Sequence, residues 1–291
     1  MKRHTRIFKA VFNPVRFGTL HTYYWLRRKG KRTHPGEERP LYSVIVASYN
    51  YANLIGETLD SLLAQTYGNY EIIVVDDGST DNSMAVVQRY CEKYSQIKLY
   101  THEDHKNHGL CETLKLALTK AQGDYIAFCE SDDRWDENHL ETITQFINSY
   151  KNVVFVHNRV IFTGSPQCHQ KTVVHISSIQ KHYFHTGYNR ININKHATYN
   201  RIATFSSVVI KADVLRPLDF NSPVPSHLDL WLYRQIFAKY PMHYCDTAVT
   251  YWRMHADSYC SKDLKERQEQ LRDALEELVA KSNELIQASQ A

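Results

Sequence analysis

Short apolar runs alternate with amphipathic stretches along the first half of the chain. Four runs rich in aliphatic and aromatic residues predict buried strands over residues 42–47, 71–75, 97–101 and 125–129. Apolar residues recur at helical spacing between these runs, which predicts helices over residues 53–65, 83–94 and 110–121, the last one ended by Gly123. This order of strands and helices indicates an α/β protein with a parallel sheet and right-handed crossover connections.

The pattern is less regular after Tyr150. Strands are predicted over residues 153–162, 206–210 and 248–255, and an amphipathic helix over residues 228–240. Residues 163–200 are polar, rich in histidine and without a regular period, which indicates a loop. This loop is either a segment that orders when a ligand binds or a plain surface loop.

A stripe of leucines marks the C-terminal segment. Leu264, Leu271, Leu278 and Leu285 recur every seven residues, which predicts a helix with one apolar face. The second apolar position of each heptad is irregular. Two alternatives therefore stay open: the helix packs on the body of the same chain, or residues 264–286 form a contact between copies in a homo-oligomer.

Charge is distributed unevenly along the 291 residues, whose formal net charge is +4. Residues 1–40 contain eleven lysines or arginines and two acidic residues, which leaves a net charge of −5 on the rest of the chain. Residues 1–32 combine these cations with aromatic side chains. Three alternatives stay open for them: binding to anionic lipid at a membrane surface, packing on the body of the protein, or disorder. No nucleic-acid recognition module accompanies the basic residues, so nucleic acid is not an expected partner.

Cysteine usage indicates a reducing compartment. The six cysteines form no CxxC pair and have no metal-type spacing. No apolar run near the N-terminus is long enough for a signal sequence or a spanning helix. We therefore expect a cytoplasmic protein, either free or peripheral at the inner face of the membrane.

Polar segments follow directly on the predicted strands. They occupy residues 47–50, 76–81, 102–109 and 130–133. Because the carboxyl ends of parallel strands share one edge, where such sheets bind ligands, we expect these segments to surround one site. Asp132 and Asp133 fit a hard divalent cation that also contacts substrate phosphates. Alternatively, they cap a helix that starts near Asp136, and Asp76 and Asp77 serve turn formation.

Two other enzyme classes with acidic strand ends fit less well. Haloacid-dehalogenase-type phosphatases need two aspartates separated by one residue, whereas Asp76 and Asp77 are adjacent. Sugar nucleotidyltransferases need a glycine-rich phosphate loop after the first strand, and residues 47–59 contain only Gly56.

The motifs together resemble those of the family 2 glycosyltransferases. "SVIVASYNYANLIGETLDSLLAQTYGNYEIIVVDDGSTDNS", "NHGL" and "AQGDYIAFCESDDRW" carry the resemblance, which covers residues 42–136 in strict order and continues to about residue 258. It implies a GT-A fold, with a Rossmann-like, mostly parallel central sheet flanked by helices. It divides the chain into an N-terminal extension (1–40), a nucleotide-sugar-binding half (41–136), an acceptor-binding half (137–260) and a C-terminal helix (261–291).

The resemblance also implies an activity. Family members transfer a sugar from a nucleotide diphosphate donor, usually a UDP-sugar, with inversion at the anomeric carbon and with Mn²⁺ or Mg²⁺. A glycan or lipid-linked glycan would be the acceptor, in the synthesis of a surface polysaccharide. The processive members have spanning helices and a Gln-x-x-Arg-Trp motif that this sequence lacks. A non-processive enzyme is therefore expected.

Roles for individual residues follow from the resemblance. The nucleotide-sugar residues are Ala47, Tyr49, Asn50, Asp77 and Asp132, and the metal ligands are Asp132, Asp133 and His255. Glu130 stands where the family has an aspartate.

The catalytic base is the least regular position. In "SHLDLWLYRQ", the family's Glu-Asp pair falls on Ser226 and His227, while Asp229 matches a later aspartate. Either Asp229 or His227 would be the base, with Asp229 slightly favoured because a carboxylate is the family's choice. A third alternative is a non-catalytic nucleotide-sugar or glycan-binding module with a degenerate site.

Overall fold

A nine-stranded sheet forms the centre of the protein in a computed structural model that describes residues 38–164, 187–189, 202–255 and 268–288. The strands are β1 (Tyr42–Ser48), β2 (Tyr70–Asp76), β3 (Ile97–Thr101), β4 (Tyr125–Phe128), β5 (Arg134–Trp135), β6 (Phe155–Gly164), β7 (Gly187–Asn189), β8 (Val208–Lys211) and β9 (Met242–Met254). The described helices are α1 (Ile55–Leu63), α2 (Ser83–Lys93), α3 (Leu110–Lys120), α4 (His139–Ser149), α5 (Ala212–Leu215), α6 (Leu228–Phe237) and α7 (Gln268–Ala288). Short 3₁₀ turns cover Phe205–Ser207 and Pro225–His227.

The strand order is β3-β2-β1-β4-β8-β6-β9-β5, and β7 also pairs with β9. Strands β3, β2, β1 and β4 are parallel, so their carboxyl ends share one edge, called here the carboxyl edge. Strand β8 is antiparallel to both of its neighbours, and β6 is parallel to β9. The predicted α/β architecture is confirmed, with its parallel part in the first half of the chain.

Helices cover both faces of the parallel strands, which explains why these strands are apolar at nearly every position. Along β1, Ile45 points into one core cluster, whereas Val44 and Val46 point into the other. Leu114 of α3 belongs to the first cluster, and Leu59 of α1 belongs to the second. Burial on both faces therefore fixes the register of the sheet at the edge where the polar segments lie.

Gly123 does not end α3, as the sequence predicted, because the helix stops at Lys120. The glycine instead allows a close approach of two backbone segments. A Cβ atom at position 123 would lie 2.5 Å from the backbone nitrogen of Ser43. The backbone N–H of Gly123 donates to the Ser43 hydroxyl at 2.8 Å, so this contact sets β4 beside β1.

Helix α7 packs on the body of its own chain. Leu278 is fully buried in the core cluster that also contains Leu232 of α6. Arg234 of α6 is buried, and its guanidinium donates to the Ser282 hydroxyl and, at 2.7 Å, to the side-chain oxygen of Asn283. The intramolecular alternative for this helix therefore holds in the structure, and a contact between copies stays a prediction.

Leu278→Ala should lower the free energy of unfolding by about 2–4 kcal/mol, because it leaves a cavity in the core. Leu285→Ala removes the same atoms one heptad later, where the side chain is 37% exposed, and should cost less than about 1 kcal/mol. Urea unfolding followed by circular dichroism measures both. Equal losses for the two variants would contradict the docking of α7.

Among the described helices, none is both long and apolar enough to cross a bilayer. The predicted lipid contact of residues 1–32 and most of the predicted loop over residues 163–200 lie outside the described residues.

Candidate functional site

The loops after β1 and β2 are joined at the carboxyl edge. Asn50 has a positive φ of 60°, a conformation that asparagine tolerates better than most residues. Its side-chain oxygen accepts hydrogen bonds from the backbone N–H groups of Thr80, at 2.7 Å, and Asp81, at 3.3 Å. Its own backbone N–H donates to the Ser79 hydroxyl at 2.9 Å. These bonds fix the two loops against each other.

Asp77 joins the same loops to the start of α3. It is 5% exposed, and its two carboxylate oxygens accept from the backbone N–H groups of His108, at 2.8 Å, and Gly109, at 2.9 Å. The imidazole of His102 lies 3.3 Å from the first of these oxygens. A carboxylate at the start of a helix is favourable because the helix dipole is positive there.

Gly78 lets the loop after β2 pass close to residues 106 and 107. Its φ is +74°, and an added Cβ would lie 2.5 Å from the carbonyl carbon of Lys106. Gly78→Ala should therefore lower the free energy of unfolding by about 1–3 kcal/mol and raise the KM for the expected nucleotide-sugar donor severalfold. Thermal unfolding and donor kinetics measure the two effects.

The matched control is Gly68→Ala, because a Cβ there meets nothing within 4 Å. This variant should leave the free energy of unfolding and the KM nearly unchanged. The same KM increase in both variants would contradict the role given to the loop after β2.

The predicted nucleoside residues lie at this edge. Ala47 is part of β1, and Tyr49, which follows that strand, is 44% exposed. The backbone N–H of Asp77 donates to the carbonyl of Ser48 at 2.8 Å, so Asp77 sits beside the end of β1. The structure thus brings Ala47, Tyr49, Asn50 and Asp77 together, and their contact with a nucleoside stays a prediction.

Glu130, Asp132 and Asp133, called here the acidic cluster, follow β4 at the same edge. Asp133 is fully buried: one carboxylate oxygen accepts from the backbone N–H of Arg253 at 2.9 Å, and the other lies 3.2 Å from the Thr204 hydroxyl. The same hydroxyl donates to the Glu130 carboxylate. Asp133 therefore links the end of β4 to the end of β9.

Two carboxyl groups of the acidic cluster, Glu130 and Asp133, have raised pKa values. Burial, followed by the charge of Asp132, raises the pKa of Glu130 to about 7. Burial also raises the pKa of Asp133 well above its usual value, with Asp132 and Glu130 adding to the effect. The surface area of Glu130 makes it an exposed residue, whereas the pKa shift reflects the density of protein atoms around its carboxylate. A bound cation would offset this repulsion.

His255 contacts Asp132 of the acidic cluster. Its Nε2 atom lies 3.0 Å from a carboxylate oxygen of Asp132, and its ring lies edge-on to Tyr51 with centroids 5.8 Å apart. The structure therefore brings Asp132 and His255 next to each other, as the sequence predicted. The helix-capping alternative is wrong, because α4 begins at His139 and its N-cap residue is Asn138.

The chemistry of Asp132 and His255 is compatible with a metal ion, and a metal site at the acidic cluster stays a prediction. Within the described residues, no group of three or more His, Cys, Asp or Glu side chains is arranged to hold a metal ion. Asp132 and His255 offer two ligands, and Mg²⁺ commonly completes its shell with water and substrate phosphates. Both oxygens of Asp133 already contact protein groups, so direct coordination by Asp133 stays a prediction.

The two candidate bases differ in their surroundings. Asp229 lies in the first turn of α6, and its negative charge adds to the effects of burial and Asp132 that raise the pKa of Glu130. His227 lies in the preceding 3₁₀ turn, where its Nδ1 atom shares a hydrogen bond with the Ser226 hydroxyl at 3.0 Å and burial lowers its pKa. Of the two candidates, Asp229 is therefore the one whose charge acts on the acidic cluster.

The comparison with known proteins decides the family. A sequence model described as Glycosyl transferase family 2 matches residues 43–213, more than half of the chain. The chain belongs to glycosyl transferase family 2. The matched region contains every polar segment of the carboxyl edge and the whole acidic cluster.

Curated relatives of this family 2 glycosyltransferase carry related names. The "Putative teichuronic acid biosynthesis glycosyltransferase TuaG" of Bacillus subtilis is 38% identical over 109 residues, which are 38% of this chain and 42% of the relative. The "Putative glycosyltransferase EpsE" of the same organism is 35% identical over 126 residues, 43% of each chain. The alignments thus cover less than half of either relative.

Solved structures show that the family 2 glycosyltransferase has the GT-A fold. S. aureus TarS, residues 1–349 in complex with UDP-GlcNAc, matches 83% of this chain and 66% of its own, with a TM-score of 0.63 and 20% identity. The mannosyltransferase PcManGT of Pyrobaculum calidifontis, in complex with GDP-Man and Mn²⁺, matches 88% of this chain and 69% of its own, with a TM-score of 0.53 and 18% identity.

Three further residues of the family 2 glycosyltransferase support the site and were missed from the sequence. Thr204 contacts Glu130 and Asp133, and Glu57 accepts from the Arg253 guanidinium at 2.6 Å. Tyr233 lies beside Asp229 and Glu130, whose charges add to burial in raising the pKa of its phenol. Only Tyr233 has a signal in the sequence, since it follows Asp229 by four positions in a predicted helix.

Proposed function

We propose that this protein transfers a sugar from a UDP-sugar to a hydroxyl group of a glycan or lipid-linked glycan, with inversion at the anomeric carbon. One observation carries the proposal: the Nε2 atom of His255 lies 3.0 Å from the Asp132 carboxylate in the acidic cluster. The negative charge of Asp229 adds to the burial and the charge of Asp132 that raise the pKa of Glu130 in the same cluster. These contacts support a role for Asp229 in proton transfer and for Asp132 and His255 in holding a metal.

The donor would bind across this edge. Ala47, Tyr49, Asn50 and Asp77 are proposed to contact the nucleoside, since their loops are already fixed together by hydrogen bonds. Crystal structures of TarS with UDP and UDP-GlcNAc support a UDP-sugar, and the GDP-Man complex of PcManGT keeps a GDP-sugar as the second candidate.

Asp132 and His255 are proposed to hold Mn²⁺ or Mg²⁺, with Asp133 beneath them. When bound, the ion supplies a Lewis acid beside the diphosphate leaving group. The buried hydrogen bonds of Asp133 to Arg253 and Thr204 hold this part of the cleft in place. The Mn²⁺ complex of PcManGT supports the choice of ion.

Asp229 is proposed as the catalytic base. The acceptor oxygen attacks the anomeric carbon on the face opposite to the leaving group, and the bond from that carbon to the diphosphate oxygen breaks. The acceptor proton passes to the Asp229 carboxylate. A single displacement of this kind inverts the anomeric configuration, as in inverting glycosidases, where water takes the place of the acceptor hydroxyl.

Release of nucleotide from a panel of UDP- and GDP-sugars tests the proposal. We expect one UDP-sugar to be turned over with Mn²⁺ or Mg²⁺, faster with a glycan acceptor and not in the presence of a chelator. Product analysis by NMR reports the anomeric configuration. Nucleotide-sugar binding without turnover for any donor and acceptor would contradict the proposal and favour a non-catalytic binding module.

The names of the relatives support a place in the synthesis of a surface polysaccharide. TuaG is named as a putative glycosyltransferase of teichuronic acid biosynthesis. The proposed acceptor is therefore the growing end of a cell-envelope glycan.

A further inference from the structure

A tyrosine hydroxyl is buried beside the proposed base. Tyr233 is 2% exposed, and among the described residues its hydroxyl has no hydrogen-bond partner. Burial raises the pKa of its phenol well above the usual value, and the charges of Asp229 and Glu130 add to this effect. The phenol is therefore a neutral donor close to two carboxylates. A buried hydroxyl without a partner destabilises a fold, so its presence requires another reason.

The ring of Tyr233 is held by aromatic packing. It lies edge-on to Phe155, with centroids 5.3 Å apart, and at 64° to Phe205, with centroids 5.8 Å apart. Phe205 directly follows Thr204, whose hydroxyl contacts the Glu130 carboxylate. The aromatic contacts thus connect Tyr233 to the wall that holds the acidic cluster, and they limit the rotation of its ring.

Helix geometry places the hydroxyl on the side of the base. Asp229 and Tyr233 are four residues apart in α6, so their side chains lie one above the other on one face of the helix. Arg234, the next residue, is bound by Ser282 and Asn283 of α7, which fixes the rotation of α6 about its axis. The position of the phenol relative to the Asp229 carboxylate is therefore determined by packing on two sides.

We propose that Tyr233 is a positioning residue for sugar transfer, whose hydroxyl donates a hydrogen bond to the Asp229 carboxylate when substrates fill the cleft. This inference rests on the proposed function of the same site. Tyr233 would donate to one carboxylate oxygen and so turn the other toward the acceptor hydroxyl, whose proton this second oxygen receives as the hydroxyl oxygen attacks the anomeric carbon. A hydrogen bond to a charged acceptor is stronger than one between neutral groups. In the complex, the bond to Asp229 would therefore offset the free-energy cost of burying the unpaired Tyr233 hydroxyl in the free protein.

Tyr233→Phe removes only the hydroxyl and tests the proposal. In the active enzyme, kcat should fall about tenfold, which corresponds to about 1.4 kcal/mol, with the KM for the donor within twofold of wild type. The Tm should rise by about 2–4 °C, because the variant no longer buries an unpaired hydroxyl. A residue with a purely structural role would not lower kcat while it raised Tm.

Tyr125→Phe is the matched control, because that hydroxyl is buried and donates to the carbonyl of Val153 at 2.8 Å. It should lower Tm by about 2–4 °C and leave kcat within twofold of wild type. A double-mutant cycle then asks whether Tyr233 acts through the base. In an Asp229→Asn background, Tyr233→Phe should change the residual kcat by less than about twofold.

Three results would overturn the proposal: an unchanged kcat in Tyr233→Phe, a lower Tm in that variant, or a full tenfold loss in the Asp229→Asn background. If the loss disappeared instead in a Glu130→Gln background, Glu130 would be the partner, and the assignment to Asp229 would be wrong. A wild-type protein that turns over no donor would remove the proposed function and this inference together. An active wild type with an unaffected Tyr233→Phe variant would remove only the inference.

Discussion

Asp229→Asn should lower kcat for sugar transfer about a thousandfold while donor affinity changes less than about threefold. The amide has nearly the same shape as the carboxylate but cannot accept the proton of the acceptor hydroxyl, and a general base typically contributes about 10²–10⁴ in rate. Because Asp229 lies at the start of α6 and is only partly buried, the change should leave the fold intact. Single-turnover kinetics and calorimetric titration with UDP measure the rate and the affinity.

His227→Asn is the matched control for the base. The side chain lies two residues earlier, in the 3₁₀ turn, and its ring interacts with Ser226. We expect kcat within about fivefold of the wild-type value. The reverse pattern, with a large loss for His227→Asn and a small one for Asp229→Asn, would show that His227 is the base.

Asp132→Asn should lower kcat/KM at least about a hundredfold and raise the Mn²⁺ concentration needed for half-maximal activity. The substitution removes one charge from the acidic cluster and weakens the proposed pair of metal ligands with His255. A bound metal ion that acts as a Lewis acid on the leaving group stabilises the transition state by several kcal/mol. A variant that binds the ion weakly would lose this stabilisation. Titration of activity with Mn²⁺, together with electron paramagnetic resonance of the free ion, measures both effects.

Glu137→Gln serves as its control, because Glu137 is an exposed carboxylate on the same segment and outside the acidic cluster. Neither the Mn²⁺ requirement nor kcat/KM should change beyond about twofold. Full activity of the wild-type protein with a chelator in place of Mn²⁺ and Mg²⁺ would contradict metal dependence.

The parallel half of the sheet could be predicted from the sequence because its strands are covered on both faces. A short, continuous apolar run such as residues 71–75 is difficult to assign to anything other than a buried strand. The third strand was predicted with its observed limits, Ile97–Thr101. Strand β9 instead begins at Met242, six residues before the prediction. Its first part contains polar residues, and it gains its strand structure by pairing with β6 across a bulge between Asn158 and Arg159, which local periodicity does not reveal.

The candidate site could be predicted in part for the same reason. The acidic cluster and Asp77 follow buried strands, so the topology of the sheet alone places them at one edge. His255 was assigned to this group only through the family resemblance, and the structure brings it to 3.0 Å from Asp132. Thr204 and Glu57 are ordinary residues whose contacts depend on how distant segments fold together, and no local pattern marks them.

The hydrogen bonds of Asn50 and Asp77 have a consequence for the thermodynamics of ligand capture. Three backbone segments at the carboxyl edge are already fastened by side-chain acceptors before any nucleotide arrives. If a nucleotide binds there as proposed, the protein would give up little chain entropy, and most of the entropic cost would fall on the ligand itself. Such preorganisation would favour rapid equilibration of the proposed nucleotide with its site.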